Sequence, residues 1–238
     1  MDLNVINQAV LRPLNAQVRA VELLKRAEVV VYDDLGAAAA VEAYAPPTAE
    51  LVYVGKRGSR PSIKQPEIDQ LLVESAAAGG GQEVVRLKGG CPSVFSRVHS
   101  EMVALGDAGI PYDLVPGVSS PLAAPLLAGF PLTHPQLSTA FAVASAHRPD
   151  SLDWQALSAL DTLVLLMAGR TLPKVVDRLL QHGRSPETPI AVVREAASEA
   201  QQVWAGSLGN IVERTAGEAL SPCVVVVGQV AGWSPAEQ

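Results

Sequence analysis

From Leu3 to Val115 the chain alternates short β-branched runs with amphipathic stretches. That rhythm leaves little choice but a mainly parallel sheet joined by crossover helices. Strands are predicted at Leu3-Asn4-Val5-Ile6, Val29-Val30-Val31-Tyr32, Leu51-Val52-Tyr53-Val54, the run from Val84 to Lys88, and Tyr112 to Val115. Helices are predicted over 15–27, 37–44, 66–78 and from about His99 to Ala108. Near Pro116 the character shifts. A helix is predicted from Leu122 to Ala128, strands at 140–144, 162–167, 189–193, 201–205 and 223–228, and a helix over 172–182 that Gly183 ends. The expectation is therefore two α/β domains, residues 1–116 and 117–238, with mainly parallel and mixed sheets.

The strand from Val84 breaks into Gly89-Gly90-Cys91-Pro92. A strand that ends in two glycines lets a ligand approach the backbone with no Cβ in the way. Two other strands of the first half end in chemistry: Asp33-Asp34 after one, Gly55-Lys56-Arg57 after another. If these strands are parallel neighbours, their loops share the carboxyl edge of the sheet, where open α/β sheets bind ligands. Taken alone, each piece has a plainer reading. Asp33 and Asp34 suit a solvated turn, Lys56 and Arg57 a solvated surface, Ser119-Ser120 a helix cap, and Met167 a core filler.

Composition narrows the class. The net charge of −6 argues against a nucleic-acid surface, which needs a basic face. Aromatics are 4% of the chain, so the core must be built from Val, Leu, Ile and Ala. Cys91 and Cys223 are the two cysteines and lie too far apart in sequence to suggest a disulfide framework. The four histidines show no metal-ligand spacing, so no metal is expected. Met1-Asp2-Leu3-Asn4 is not a secretory leader and no apolar run is long enough for a bilayer, so the expected compartment is the cytoplasm with no membrane partner.

Across its whole length the chain resembles the tetrapyrrole methylases. The likeness rests on Tyr32-Asp33-Asp34-Leu35, Val54-Gly55-Lys56-Arg57, Arg86-Leu87-Lys88-Gly89-Gly90, Val115-Pro116-Gly117-Val118, Pro131-Leu132-Thr133-His134 and Leu165-Leu166-Met167, in this order. The resemblance is strongest to the branch that methylates uroporphyrinogen III. It implies two α/β domains with the active site in the cleft between them, usually in a homodimer. It also implies S-adenosyl-L-methionine as methyl donor and a reduced polycarboxylate tetrapyrrole as substrate. By position, Gly89, Gly90, Cys91, Val94, Ser119, Ser120, Met167 and Ala196 would surround the donor. Asp33 matches the family's proton acceptor and Lys56 its proton donor, while Arg57, Arg60, Arg97 and His134 fall on the substrate side. The sequence departs from the family at Asn7–Pro13, which replaces a Gly-x-Gly-Pro-Gly-Asp-Pro loop, and at Cys91, where the family carries Asp. Those departures leave two other readings open: a non-catalytic relative that binds a tetrapyrrole or a partner, and a methylase of another precorrin.

Overall fold

A computed structural model of the chain describes residues 3–8 (backbone), 18–33, 37–55, 63–78 and 83–234. The chain falls into two compact units, Met1–Ser119 and Ser120–Gln238.

The first unit carries strands β1 (Leu3–Gln8), β2 (Val29–Tyr32), β3 (Glu50–Tyr53), β4 (Val84–Gly89) and β5 (Tyr112–Leu114). Its helices are α1 (Val18–Leu24), α2 (Ala37–Tyr44), α3 (Gln65–Ala78) and α4 (Val98–Asp107). The strands form one sheet in the order β3-β2-β4-β1-β5, and every pairing is parallel. Successive strand residues point to opposite faces. Val30, Val85 and Leu87 meet Ala20, Leu23, Leu24, Ala40 and Val41 of α1 and α2 on one face. Val29, Val31 and Val84 meet Ile68, Leu72 and Leu105 of α3 and α4 on the other. Because both faces are covered, β2 inside the sheet reads as a continuous apolar run, as a buried parallel strand does.

The second unit holds α5 (Ser120–Leu127), β6 (Phe141–Ser145), α6 (Trp154–Ser158), β7 (Thr162–Leu166), α7 (Leu172–Gln181), β8 (Pro189–Arg194), β9 (Gln202–Ser207), α8 (Ile211–Arg214) and β10 (Cys223–Val227). Its sheet order is β6-β7-β10-β8-β9, with β6 parallel to β7 and the remaining pairs antiparallel. Helix α7 shows why periodicity works as a signal: Leu172, Val175, Val176 and Leu179 are all buried, at the i, i+3, i+4, i+7 spacing of one helix face. Gly183 follows at φ 90°, as the helix terminus demands. The short helices α6 and α8 lie outside the sequence expectation. Each is held by a single buried anchor, Trp154 or Ile211, which is too little apolar repeat to read in advance. Among the described residues no helix is long and apolar enough to cross a membrane, and no cluster of three or more ligating side chains suits a metal.

Candidate functional site

The topology of the first sheet singles out one place. From β1 the chain crosses toward β2, and from β4 it crosses toward β5, in opposite directions from two adjacent strands. Helix α1, the next described element after β1, packs on one face of the sheet and α4, the next after β4, on the other. Adjacent parallel strands whose connections go to opposite faces are where open α/β sheets bind ligands. Gln8, the last residue of β1, is in register with Gly89, the last of β4. Gly90 follows at φ 82°, and a Cβ built there meets nothing within 4 Å. The backbone at this point is open.

Beyond it the loop is a turn held by its own side chains. Cys91 Sγ and Ser93 Oγ are hydrogen-bonded at 3.1 Å, and the Ser96 hydroxyl donates to the Pro92 carbonyl. Burial pushes the Cys91 thiol up, but the Ser93 hydroxyl and the backbone groups of Gly117 and Ser93 outweigh it, and the net direction is down. The Gly117 contact has a topological meaning. Strand β1 lies between β4 and β5, and the influence of the Gly117 backbone on Cys91 means that the loops after β4 and β5 come close beyond the carboxyl end of β1. Ser119 is buried at the end of that second loop, Val94 is half-buried, and Arg97 is exposed at the N-cap of α4 with φ 61°.

Asp33 follows β2 on the same edge and is not the solvated turn residue that sequence alone favours. Its Oδ2 accepts from Arg86 Nη2 at 3.0 Å, and its Oδ1 is buried with no hydrogen-bond partner among the described residues. Arg86 lies on the face of β4 that α3 and α4 cover. Its Nε donates to Glu101 Oε1 at 3.2 Å and its Nη1 to the carbonyls of Val31 and Leu87. Lys88, two residues on and on the same face, donates to the same Glu101 oxygen at 2.7 Å. Burial first, and then the Arg86 charge, hold the Lys88 ammonium below its ordinary range despite Glu101 and Asp33. Two cations and two carboxylates thus form one chain from the end of β2 through β4 to the first turn of α4.

Sequence reasoning missed Glu101 and gave Arg86 and Lys88 no role. The available signal was two cations at i and i+2 inside a strand otherwise apolar, since buried charges must be paired.

In the second sheet β6, β7 and β8 run the same way, so their carboxyl ends share an edge. Met167 stands there after β7 and Ala196 after β8. Met167 corrects the core-filling expectation: it is 47% exposed, at φ 58°. Buried Leu165 and Ala168 around it fix the chain so that this one side chain turns outward. The described non-glycine residues with positive φ are Phe95, Arg97, Met167, Glu195 and Ala197, and all five follow β4, β7 or β8. Such backbone costs on the order of 1–3 kcal/mol per residue and gathers at binding sites. Ser120 is the first residue of α5. His134 is not brought to this edge. It bridges to Ser138, whose hydroxyl meets Thr162 at the amino end of β7, and its ring lies 6.4 Å from that of Trp233.

Lys56, Arg57 and Arg60 lie outside the described residues, as does 9–13 of the departing N-terminal loop. What the described residues bring together in the first unit is Gly89, Gly90, Cys91 and Ser119, with Asp33 on the same edge.

Comparison with known proteins gives the family and the fold. The family profile described as Tetrapyrrole (Corrin/Porphyrin) Methylases matches residues 16–212. The uroporphyrinogen-III C-methyltransferase of Synechococcus elongatus is 44% identical over 212 residues, 89% of this chain and 86% of that protein. The uroporphyrinogen-III C-methyltransferase of Methanocaldococcus jannaschii is 43% identical over 220 residues, 90% of this chain and 89% of its own length. Among solved structures, the uroporphyrin-III C-methyl transferase of Thermus thermophilus, complexed with S-adenyl homocysteine, superposes with a TM-score of 0.83 at 33% identity, covering 98% of this chain and 99% of that one.

Proposed function

We propose that this chain, which belongs to the tetrapyrrole (corrin/porphyrin) methylases, transfers methyl groups from S-adenosylmethionine to pyrrole carbons of uroporphyrinogen III, twice in succession, giving precorrin-2 for the sirohaem and cobalamin branches. The observation that carries the reading is the open Gly90 backbone at the switch point, on the same sheet edge as an aspartate that has one oxygen clamped and one without a partner among the described residues. The family's donor is a nucleoside bearing a zwitterionic amino acid on a sulfonium. The residues of each unit suit it: the first unit offers bare backbone at Gly90, the Ser119 hydroxyl, Cys91 and the apolar side chain of Val94, and the second offers the Ser120 hydroxyl and apolar surface at Met167 and Ala196.

When bound, that donor supplies an electrophilic methyl group. A pyrrole carbon forms the new bond, the sulfur keeps the electron pair of the broken one, and the ring gains a positive charge that it sheds as a proton. Orientation of the two reactants supplies much of the rate. Asp33 Oδ1 takes the proton in our reading, and Lys56 supplies the complementary transfer. Arg57, Arg60 and Arg97 neutralise substrate carboxylates through paired hydrogen bonds; His134, at the other edge of its sheet, has no part in this scheme. The family resemblance further implies a cytoplasmic homodimer.

The decisive assay is transfer of labelled methyl from S-adenosylmethionine to uroporphyrinogen III. Doubly methylated product is expected, and no turnover above a heat-inactivated control would reject the assignment.

The cysteines give a separate check on the donor loop. Burial pushes the Cys223 thiol up to about 11, whereas Cys91 is lowered. The thiolate is the reacting species, so at pH 8 iodoacetamide is expected to label Cys91 on the order of 100-fold faster than Cys223. Saturating S-adenosylhomocysteine should slow labelling at Cys91 and leave Cys223 unchanged, read by peptide mass spectrometry. Equal rates at Cys91 with and without the ligand would place the donor elsewhere.

A further inference from the structure

Resting on the methyl-transfer reading above, we infer that Arg86 is a positioning residue for Asp33: a guanidinium clamp that commits one carboxylate oxygen and leaves the other free to take the proton. Four bonds fix the clamp. Nη1 donates to the carbonyl of Val31 at 3.3 Å and to that of Leu87 at 2.8 Å, Nη2 to Asp33 Oδ2 at 3.0 Å, and Nε to Glu101 Oε1 at 3.2 Å. Two of these partners lie at the end of β2: Val31 within the strand and Asp33 directly after it. The guanidinium therefore grips the backbone before Asp33 and its side chain at once.

The grip is itself braced from behind. Glu101 is fully buried, and Lys88 holds the same oxygen that Arg86 uses. The neighbouring Ser100 hydroxyl donates to Asp69 of α3, which also accepts from Gln65 at 2.8 Å, so the first turn of α4 is tied to α3. Arg86 side chain exposure is 3%, against 28% for Asp33. The arginine is thus locked within the core while the aspartate stands at its margin. A group so placed reaches the substrate only through Asp33.

The geometry also says which oxygen acts. Oδ2 is taken by Nη2, and a proton arriving there would displace a charge-assisted bond. Oδ1 has no partner among the described residues and is shielded from solvent, so its lone pairs stay available. Lysine cannot substitute, because one ammonium at the end of a flexible stem does not reproduce a planar fork that reaches Glu101, two carbonyls and Asp33 together.

The test is a double-mutant cycle on the whole chain. Arg86→Lys and Arg86→Gln are each expected to lower kcat by roughly 10-fold or more, with KM for S-adenosylmethionine and the affinity for S-adenosylhomocysteine changed less than about twofold. In an Asp33→Asn background the same changes at Arg86 should lower kcat by no more than about twofold further, because the group they position is already gone. Full kcat in both Arg86 variants, or losses that simply multiply with Asp33→Asn, would overturn the inference while leaving the methyl-transfer reading intact. Loss of folding or of S-adenosylhomocysteine binding in both variants would also overturn it, since Arg86 would then serve the structure alone. Absence of turnover in the unmodified chain would instead reject the reading on which the inference rests.

Discussion

Asp33→Asn is expected to lower kcat for methyl transfer by roughly 10²–10⁴-fold, the usual contribution of a positioned general base, while S-adenosylhomocysteine binds as it does to the unmodified chain. The substitution is unusually clean here. Arg86 Nη2 donates to Oδ2, and the Asn amide oxygen can accept that same bond, so the clamp keeps its partner. What disappears is the oxygen that accepts a proton. The new amide N–H₂ would occupy the place of Oδ1, a donor aimed where an acceptor is needed. Glu101, Lys88 and the rest of the buried chain are untouched, so thermal stability should shift little beside the change in rate. Initial rates at saturating donor and calorimetric titration with S-adenosylhomocysteine read the two quantities separately. Equal loss of turnover and of ligand affinity would move Asp33 from proton transfer to donor binding.

Much of this site was legible in the sequence for a physical reason. A parallel sheet buried on both faces writes itself as β-branched runs; Val29–Tyr32 is such a run, and Val84-Val85 opens another that Arg86 and Lys88 interrupt. Once strands alternate with helices, chain direction follows, and the loops holding Asp33 and Gly89-Gly90 must share an edge. What remained hidden was pairing at a distance. Nothing local marks Glu101 as the partner of Arg86 and Lys88, because 15 and 13 residues separate them and only the crossover from β4 into α4 brings them together. The same limit explains Met167. A methionine closing an apolar strand reads as core, and only backbone at φ 58° turns it outward. Short elements such as α6 and α8 escaped because a helix of four or five residues carries too little periodic pattern to distinguish it from a turn.

Glu101→Ala is expected to be the most damaging single change to stability, costing about 3–5 kcal/mol, the range seen when one partner of a buried ion pair is removed. Glu101 is fully buried and balances two cations that are themselves 3% and 4% exposed. Its position in the first turn of α4 adds the favourable end of the helix dipole. Without it, Arg86 retains Asp33 and two carbonyls, but Lys88 keeps no carboxylate in contact among the described residues. Glu101→Gln should cost less, since an amide oxygen can still accept from Lys88 Nζ. Replacing Arg86, Lys88 and Glu101 together by apolar residues of similar size should restore part of the loss, because no uncompensated charge then remains. The pH dependence separates electrostatics from packing. Lys88 is already below its ordinary 10.5 through burial and Arg86, with Glu101 pulling it back up. Removing Glu101 lowers it further, so as pH rises toward 10.5 the folded variant sheds that proton before the unfolded chain does. The unfolded state then binds more protons, and stability rises with pH. The gap between Glu101→Ala and the unmodified chain, measured by denaturant unfolding, should therefore narrow between pH 7 and about pH 9.5. A gap that stays constant over that range would mean the loss comes from the cavity left behind, not from Lys88 stranded without its carboxylate.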